Sequence, residues 1–337
     1  MHRVGLIIYP MNFFRHKWIC LAVFIAFLGV YSVPASSEQE VDTDWRKQID
    51  APYTKKGADR CLKCHDEDNE YPILPIFQSK HGQFSNPLSP MSSGHQCETC
   101  HGPGGLHIKR PKRGELRAPI MNFGKKSSAP AAEQNKVCLQ CHRSNARIGW
   151  HGSRHESSGL ACANCHTIHV AQDLVFDRKR QADICYGCHR KQRSEFQKAY
   201  THPVRFGQVV CTDCHNTHDA MNDHLLQAAT ENETCFQCHA EKRGPYLWEH
   251  APVTEQCSLC HIPHGSNHPA LLKKRAPLLC QSCHMQNNDH TNQLYNDTGK
   301  LGGNNTDRRN FMLGKGCLNC HARIHGSNHP SGVKLLR

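Results

Sequence analysis

Two cysteines three positions apart, with a histidine directly behind the second, put two thiols and an imidazole on one helical turn. The thiols can each bond a vinyl-derived carbon of one haem, and the imidazole then reaches its iron. This pattern spans Cys61, Cys64 and His65; Cys97, Cys100 and His101; Cys138, Cys141 and His142; Cys162, Cys165 and His166; and Cys185, Cys188 and His189. It recurs at Cys211, Cys214 and His215; Cys235, Cys238 and His239; Cys257, Cys260 and His261; Cys280, Cys283 and His284; and Cys317, Cys320 and His321. With 21 cysteines and 27 histidines in 337 residues, composition alone yields roughly 0.1 such motif. The motifs therefore predict ten covalently attached c-type haems, each with a proximal histidine from its own motif.

Two other chemistries use paired cysteines. Tetrahedral zinc sites do not require a histidine fixed behind every second cysteine, and five of them would leave those ten histidines unexplained. A disulfide framework leaves the same histidines unexplained. Every cysteine after Cys20 belongs to a haem motif, so none is left for a structural disulfide.

A closed iron needs a second axial ligand. Outside His2, His16 and the motifs, fifteen histidines remain, and they repeat when motifs are taken two at a time. Each pair has one histidine between its motifs and one shortly after the second: His81 and His107, His155 and His169, His202 and His218, His250 and His264, His290 and His325. Five two-haem units thus supply the ten distal ligands of bis-histidine coordination. His325-Gly326-Ser327 mirrors His264-Gly265-Ser266, which favours His325 over His329 and His264 over His268. His95, His151, His224, His268 and His329 become spares, read as surface or propionate-contacting groups. Met285 and Met312 are the alternatives that would raise one potential. Which distal histidine serves which iron does not follow from spacing.

The elements that must position these groups are slight. The chain is only 38% hydrophobic and 7% aromatic, so buried porphyrin faces must supply much of the core. The expected fold class is a multihaem cytochrome c, mostly loops with short α-helices around the attachment motifs and almost no β-structure, holding an extended haem chain. Helices are expected in Ala131 to Arg143 and in the polar stretch from Asp177 to Tyr200, and a long loop from Gln286 to Gly303.

At the front, Arg3, Arg15 and Lys17 precede the apolar run Ile19 to Val30 and the small-residue site Val33-Pro34-Ala35. This reads as a secretory leader over residues 1–35, with Met11 as an alternative start. The run is too short to span a bilayer. Residues 36–60 form an N-terminal segment, and 61–337 a decahaem domain that divides into halves near 61–207 and 208–337. The formal charge is +12. Loss of the leader's three cations brings it to +9, and roughly 20 haem propionates reverse it. Arg and Lys are thereby explained as propionate partners, which argues against nucleic acid. The basic run Lys109, Arg110, Lys112, Arg113 and Arg117 reads as a solvated loop or propionate cover, or as a partner-docking surface.

The text around the motifs resembles the MtrA and DmsE group of periplasmic decahaem cytochromes over nearly all of the mature length. The resemblance is carried by CHAEKRGPYLWEHAPVTEQCSLCHIPHGS from Cys238 to Ser266, KGADRCLKCH from Lys56 to His65, CETCHGPGG from Cys97 to Gly105, and CLNCHARIHGSNHPSG from Cys317 to Gly332. It implies a periplasmic cytochrome held in an outer-membrane β-barrel protein. Electrons would come from a periplasmic or inner-membrane donor cytochrome and pass to an extracellular multihaem cytochrome or terminal reductase. It also implies bis-histidine haems in two pentahaem halves, with His202 and His250 matching distal positions.

Two other functions compete with this conduit. A multihaem reductase for nitrite, hydroxylamine or a sulfur oxyanion needs an open or lysine-ligated haem; no Cys-x-x-Cys-Lys is present, and the distal histidines leave no gap. A soluble periplasmic electron shuttle without a barrel has the same motifs as the conduit.

Overall fold

Each motif closes as one turn of helix: the amide of its histidine donates to the carbonyl of its first cysteine at 2.9–3.1 Å in all ten. That bond puts both sulfurs and the ring on one side of the turn. The computed structural model describes residues 44–68, 71–219, 221–284 and 317–336, all within one contact unit, Thr43–Arg337. The leader (1–35), the loop from Gln286 to Gly303, Met285, Met312 and His290 lie outside the described residues.

The helices are short: α1 Ala58–Cys61, α2 Glu98–His101, α3 Ala131–Leu139, α4 Arg154–Ser157, α5 Gln181–Tyr186, α6 Arg190–Glu195, α7 Cys211–Cys214, α8 Glu231–Phe236, α9 Ala251–Glu255 and α10 Ala276–Gln281. They are interspersed with short 3₁₀ turns. The first motif of each two-haem unit grows out of a helix end, with Cys61, Cys138, Cys185, Cys235 and Cys280 in the last turns of α1, α3, α5, α8 and α10. The second opens its own turn, at Cys97, Cys162, Cys211, Cys257 and Cys317. The pairing read from histidine spacing is thus present in the backbone.

The polar stretch from Asp177 to Tyr200 is two helices, not one. The break falls at His189, whose backbone (φ −83°, ψ 62°) leaves the helical region. His239 does the same (φ −102°, ψ 46°). The motif ends the helix that carries it, whatever the propensity of the residues that follow.

No strand occurs among the described residues; four isolated antiparallel bridges take their place. Tyr200 exchanges hydrogen bonds with Ser266, and Trp248 with Ser327. In each case the sequence His-Gly-Ser lies beside the residue two before a spacer histidine, His202 or His250. Gly265 (φ +154°) is required there, because a Cβ would collide with the Glu195 carbonyl. The side-chain core is thin, as expected. Ala182, Phe196 and Val204 form a buried cluster with Tyr186 and Val209 packed against it, while Leu88, Ile148 and Phe176 are exposed.

Buried amides hold the two motifs of a unit together. Asn232 in α8 accepts from the Cys257 amide at 2.8 Å and donates to the Val253 carbonyl at 3.0 Å. Asn135 in α3 accepts from the Cys162 amide at 2.7 Å and donates to the Leu160 carbonyl at 3.1 Å. Gln181 does similar work with Thr212. Each joins the helix of a first motif to the turn of a second.

Candidate functional site

The motif turns and loops bring imidazoles together in pairs. His65 faces His107 at a ring-centre distance of 6.3 Å, His101 faces His169 at 5.9 Å, and His142 faces His81 at 5.9 Å. His166 faces His218 at 6.0 Å, His189 faces His155 at 6.2 Å, and His215 faces His264 at 6.1 Å. His239 faces His202 at 6.4 Å, His261 faces His325 at 6.2 Å, and His284 faces His250 at 6.3 Å. Each pair joins one motif histidine to one spacer or return histidine. The tenth motif histidine, His321, has its sequence-expected counterpart, His290, outside the described residues.

The separation is diagnostic. A metal–imidazole bond of roughly 2 Å on each side, plus roughly 1 Å from nitrogen to ring centre, gives about 6 Å between ring centres. Direct ring stacking falls nearer the lower end of the aromatic contact range. With a cysteine pair beside each motif ring, the donor set fits one c-type haem between each pair.

Hydrogen bonds fix the tautomer. The motif histidine of every second-in-unit site has its Nδ1 held: His101 donates to Met121 O at 2.7 Å, His166 to Asp173 Oδ2 at 2.7 Å, and His215 to His224 O at 2.9 Å. His261 donates to Ala270 O and His321 to Lys334 O, both at 2.7 Å. Among the facing histidines, His107 donates to Ala118 O at 2.7 Å, His155 to Thr217 O at 2.9 Å, His202 to Pro263 O at 2.8 Å, and His250 to Ile324 O at 3.1 Å. A donating Nδ1 leaves Nε2 as the lone-pair nitrogen for a metal. Burial pushes His81, His101, His107, His142, His215, His218, His250 and His325 below the ordinary imidazole value, and His169 down to about 4. The neutral, ligand-competent form is the stable one.

Pairing crosses the repeat. His81, His155, His202 and His250 reach forward to the first motif of the next unit; His169, His218, His264 and His325 reach back to the second motif of the previous one. His107 serves its own unit, at the end where no earlier unit exists. Among the spares, His95 lies against Tyr53, His151 meets Glu156 at 2.9 Å, and His329 meets the Ser331 hydroxyl.

The attachment sulfurs run in chain order. The first cysteines of the two motifs of a unit neighbour each other, Cys61 with Cys97, Cys138 with Cys162, Cys185 with Cys211, Cys235 with Cys257 and Cys280 with Cys317. These neighbours, with burial, raise the Cys97, Cys162, Cys185 and Cys235 thiols. Between units the second cysteine of one lies near cysteines of the next: Cys100 near Cys138 and Cys141, Cys165 near Cys185 and Cys188, Cys214 near Cys238, and Cys260 near Cys283. Glu231 also lies near Cys235 and Cys257; its carboxylate accepts from the Ser258 hydroxyl at 2.8 Å, and the sulfurs belong to the attachment series. Asn135 and Asn232 were missed in the sequence, although each stands three residues before its motif.

The comparisons with known proteins point to the same motif chemistry. The doubled CXXCH motif family matches residues 202–244 and 250–289, the cytochrome c-type NrfB-like family matches 97–184, and the cytochrome c554 and c-prime family matches 31–102. The multihaem cytochrome MtrA of Shewanella baltica is 44% identical over 93% of this chain and 91% of its own length. The chain belongs to the MtrA family of multihaem c-type cytochromes. More distant likenesses are the cytochrome c-type proteins NrfB of Escherichia coli O6:H1, 28% identical over 49% of this chain and 80% of that protein, and of Haemophilus influenzae, 29% identical over 52% and 83%. This member of the MtrA family is an electron-transfer protein that binds c-type haem, not an enzyme. No described helix is long and apolar enough to cross a membrane.

Proposed function

We propose that the chain carries ten bis-histidine c-type haems and passes electrons along them, across the outer membrane, inside a β-barrel partner. The observation that carries the reading is the series of nine histidine pairs at 5.9–6.4 Å, with attachment cysteines that neighbour one another in chain order. His321 takes His290 in this reading, because the other nine spacer and return histidines are engaged. The haems, once attached, supply one-electron iron chemistry at each station. The protein fixes the two thioether sulfurs, presents neutral Nε2 on both faces, and at ten of the described rings holds Nδ1 on an acceptor, so that there no proton need move with the electron.

Imidazole on both faces leaves no position for substrate, which disfavours the reductase reading. Two imidazoles without methionine favour low potentials. Enclosure in a barrel follows from lipid's inability to satisfy irregular backbone, and the 44% identity to MtrA supports it. Residues 1–35 serve as an export leader, 61–337 as the decahaem domain with halves near 61–207 and 208–337, and the protein is placed in the periplasm at the outer membrane. Its partners are a periplasmic or inner-membrane donor cytochrome and an extracellular multihaem cytochrome or terminal reductase.

The test is electron paramagnetic resonance of the oxidised holoprotein with fractionation of its cells. Wholly low-spin signals, unmoved by nitrite, and co-purification with a barrel protein from outer-membrane extracts are expected. A large high-spin signal that shifts with nitrite overturns the conduit. Low-spin haems found only in the soluble fraction favour the shuttle, which the NrfB-like match over 97–184 also fits.

A further inference from the structure

Eight of the nine Nδ1 hydrogen bonds described above for motif and facing histidines end on backbone carbonyls, and one ends on a carboxylate. A tenth ring joins that exception. His264, facing His215 at the sixth haem, lies with Nδ1 at 3.2 Å from Glu195 Oε2. At the fourth haem His166 Nδ1 lies 2.7 Å from Asp173 Oδ2. Both carboxylates are well sheltered, with side-chain exposures of 11% for Asp173 and 14% for Glu195.

Neither contact is incidental to a mobile side chain. Asp173 caps the 3₁₀ turn Leu174–Phe176, its other oxygen accepting from the Val175 amide. Glu195 ends α6 at the point where its carbonyl bears on Gly265, next to His264, and the Tyr200–Ser266 bridge holds the two segments in register. Other return histidines, such as His325, do without this device. At the sixth haem both imidazoles are held, His215 by His224 O and His264 by Glu195.

We infer that Asp173 and Glu195 are tuning residues that hold the fourth and sixth haems at lower potential than they would have with carbonyl partners. The inference rests on the bis-histidine reading above. A carboxylate accepting from Nδ1–H makes the imidazole a more basic ligand and places negative charge beside the metal site. Both effects favour ferric over ferrous iron. The step is a one-electron reduction, and the hydrogen stays on Nδ1 in both states. In the sulfur order the two sites flank the fifth haem, since Cys165 lies near Cys185 and Cys188 and Cys185 meets Cys211. The two lowered stations therefore stand one on each side of the fifth.

The test is a spectroelectrochemical titration of the intact ten-haem protein, wild type against Asp173→Asn, Glu195→Gln and the double variant, with haem load counted by mass. Each isostere is expected to move one tenth of the reducible signal upward by about tenfold in its reduction equilibrium, which is 59 mV for one electron. The double variant moves two tenths. Glu156→Gln, whose carboxylate meets the spare His151 and the Gly152 amide, moves nothing. Fully loaded Asp173→Asn and Glu195→Gln proteins that titrate like wild type overturn the inference. If Asp173→Asn fails to load, a fully loaded, unshifted Glu195→Gln protein overturns it alone. Electron paramagnetic resonance of the wild type separates the two failures: high-spin haem sinks the bis-histidine reading, whereas low-spin haem with unmoved titrations sinks only the tuning role.

Discussion

Replacing Asn232 by Ala should loosen the seventh haem site from the eighth. The amide is 8% exposed. It accepts from the Cys257 amide at 2.8 Å and donates to the carbonyls of Val253 at 3.0 Å and Thr254 at 3.3 Å. The substitution strands one backbone donor and at least one acceptor, and each such group left unmet costs about 1–3 kcal/mol when buried. Water reaches part of this region, so the loss should be about 2–3 kcal/mol, a large share of a typical domain stability of about 5–15 kcal/mol. A urea titration of the holoprotein followed by far-ultraviolet circular dichroism measures it as a fall in midpoint at unchanged slope. The Soret circular dichroism couplet, which reports coupling between neighbouring haems, should weaken in parallel. Glu255→Ala, on an exposed position of the adjoining helix, should stay within about 0.5 kcal/mol of wild type. A loss for Asn232→Ala no larger than that, with the couplet intact, would refute the claim that this amide sets the register of the two motifs.

Asn135→Ala should match Asn232→Ala in size, because its bonds to Cys162 and Leu160 reproduce the same clamp; a much smaller urea shift would mean the two units are not equivalent. His250→Met should leave the haem attached and move one midpoint of the redox titration upward, while His151→Met leaves the titration unchanged. Gly265→Ala should strain the contact with the Glu195 carbonyl and disturb the Tyr200–Ser266 bridge. Faster hydrogen exchange at Tyr200 and Ser266 is the expected signature, and unchanged protection there would count against a steric role. The mass of the mature protein should exceed that of its polypeptide by ten haems; a smaller excess would reduce the number of stations.

The attachment chemistry was legible because it is local. A c-type haem needs two sulfurs and one imidazole on a single turn, so five consecutive residues specify an attachment site, and the motif occurs ten times. The unit of two was legible for a related reason: each unit spends one histidine between its motifs and one after, and the backbone repeats with the same period, helix end then turn. The thin core followed from composition, and the absence of strands among the described residues from the lack of strand patterns, with Phe196 among few large buried apolar residues.

What tertiary structure alone decided is which ring faces which. His81 lies beside His142 and His264 beside His215, each across a unit boundary. A facing ligand needs only to arrive about 6 Å from its partner by whatever path the loops provide, so spacing carries no record of the pairing. The same holds for Asp173, Glu195 and Asn232, ordinary polar residues in the sequence. Their parts are set by an acceptor or an amide brought within hydrogen-bonding reach from elsewhere, as Glu195 is brought to His264 from 69 positions away. Local covalent chemistry is written in adjacent residues; coordination and its tuning depend on contacts that only the folded chain creates.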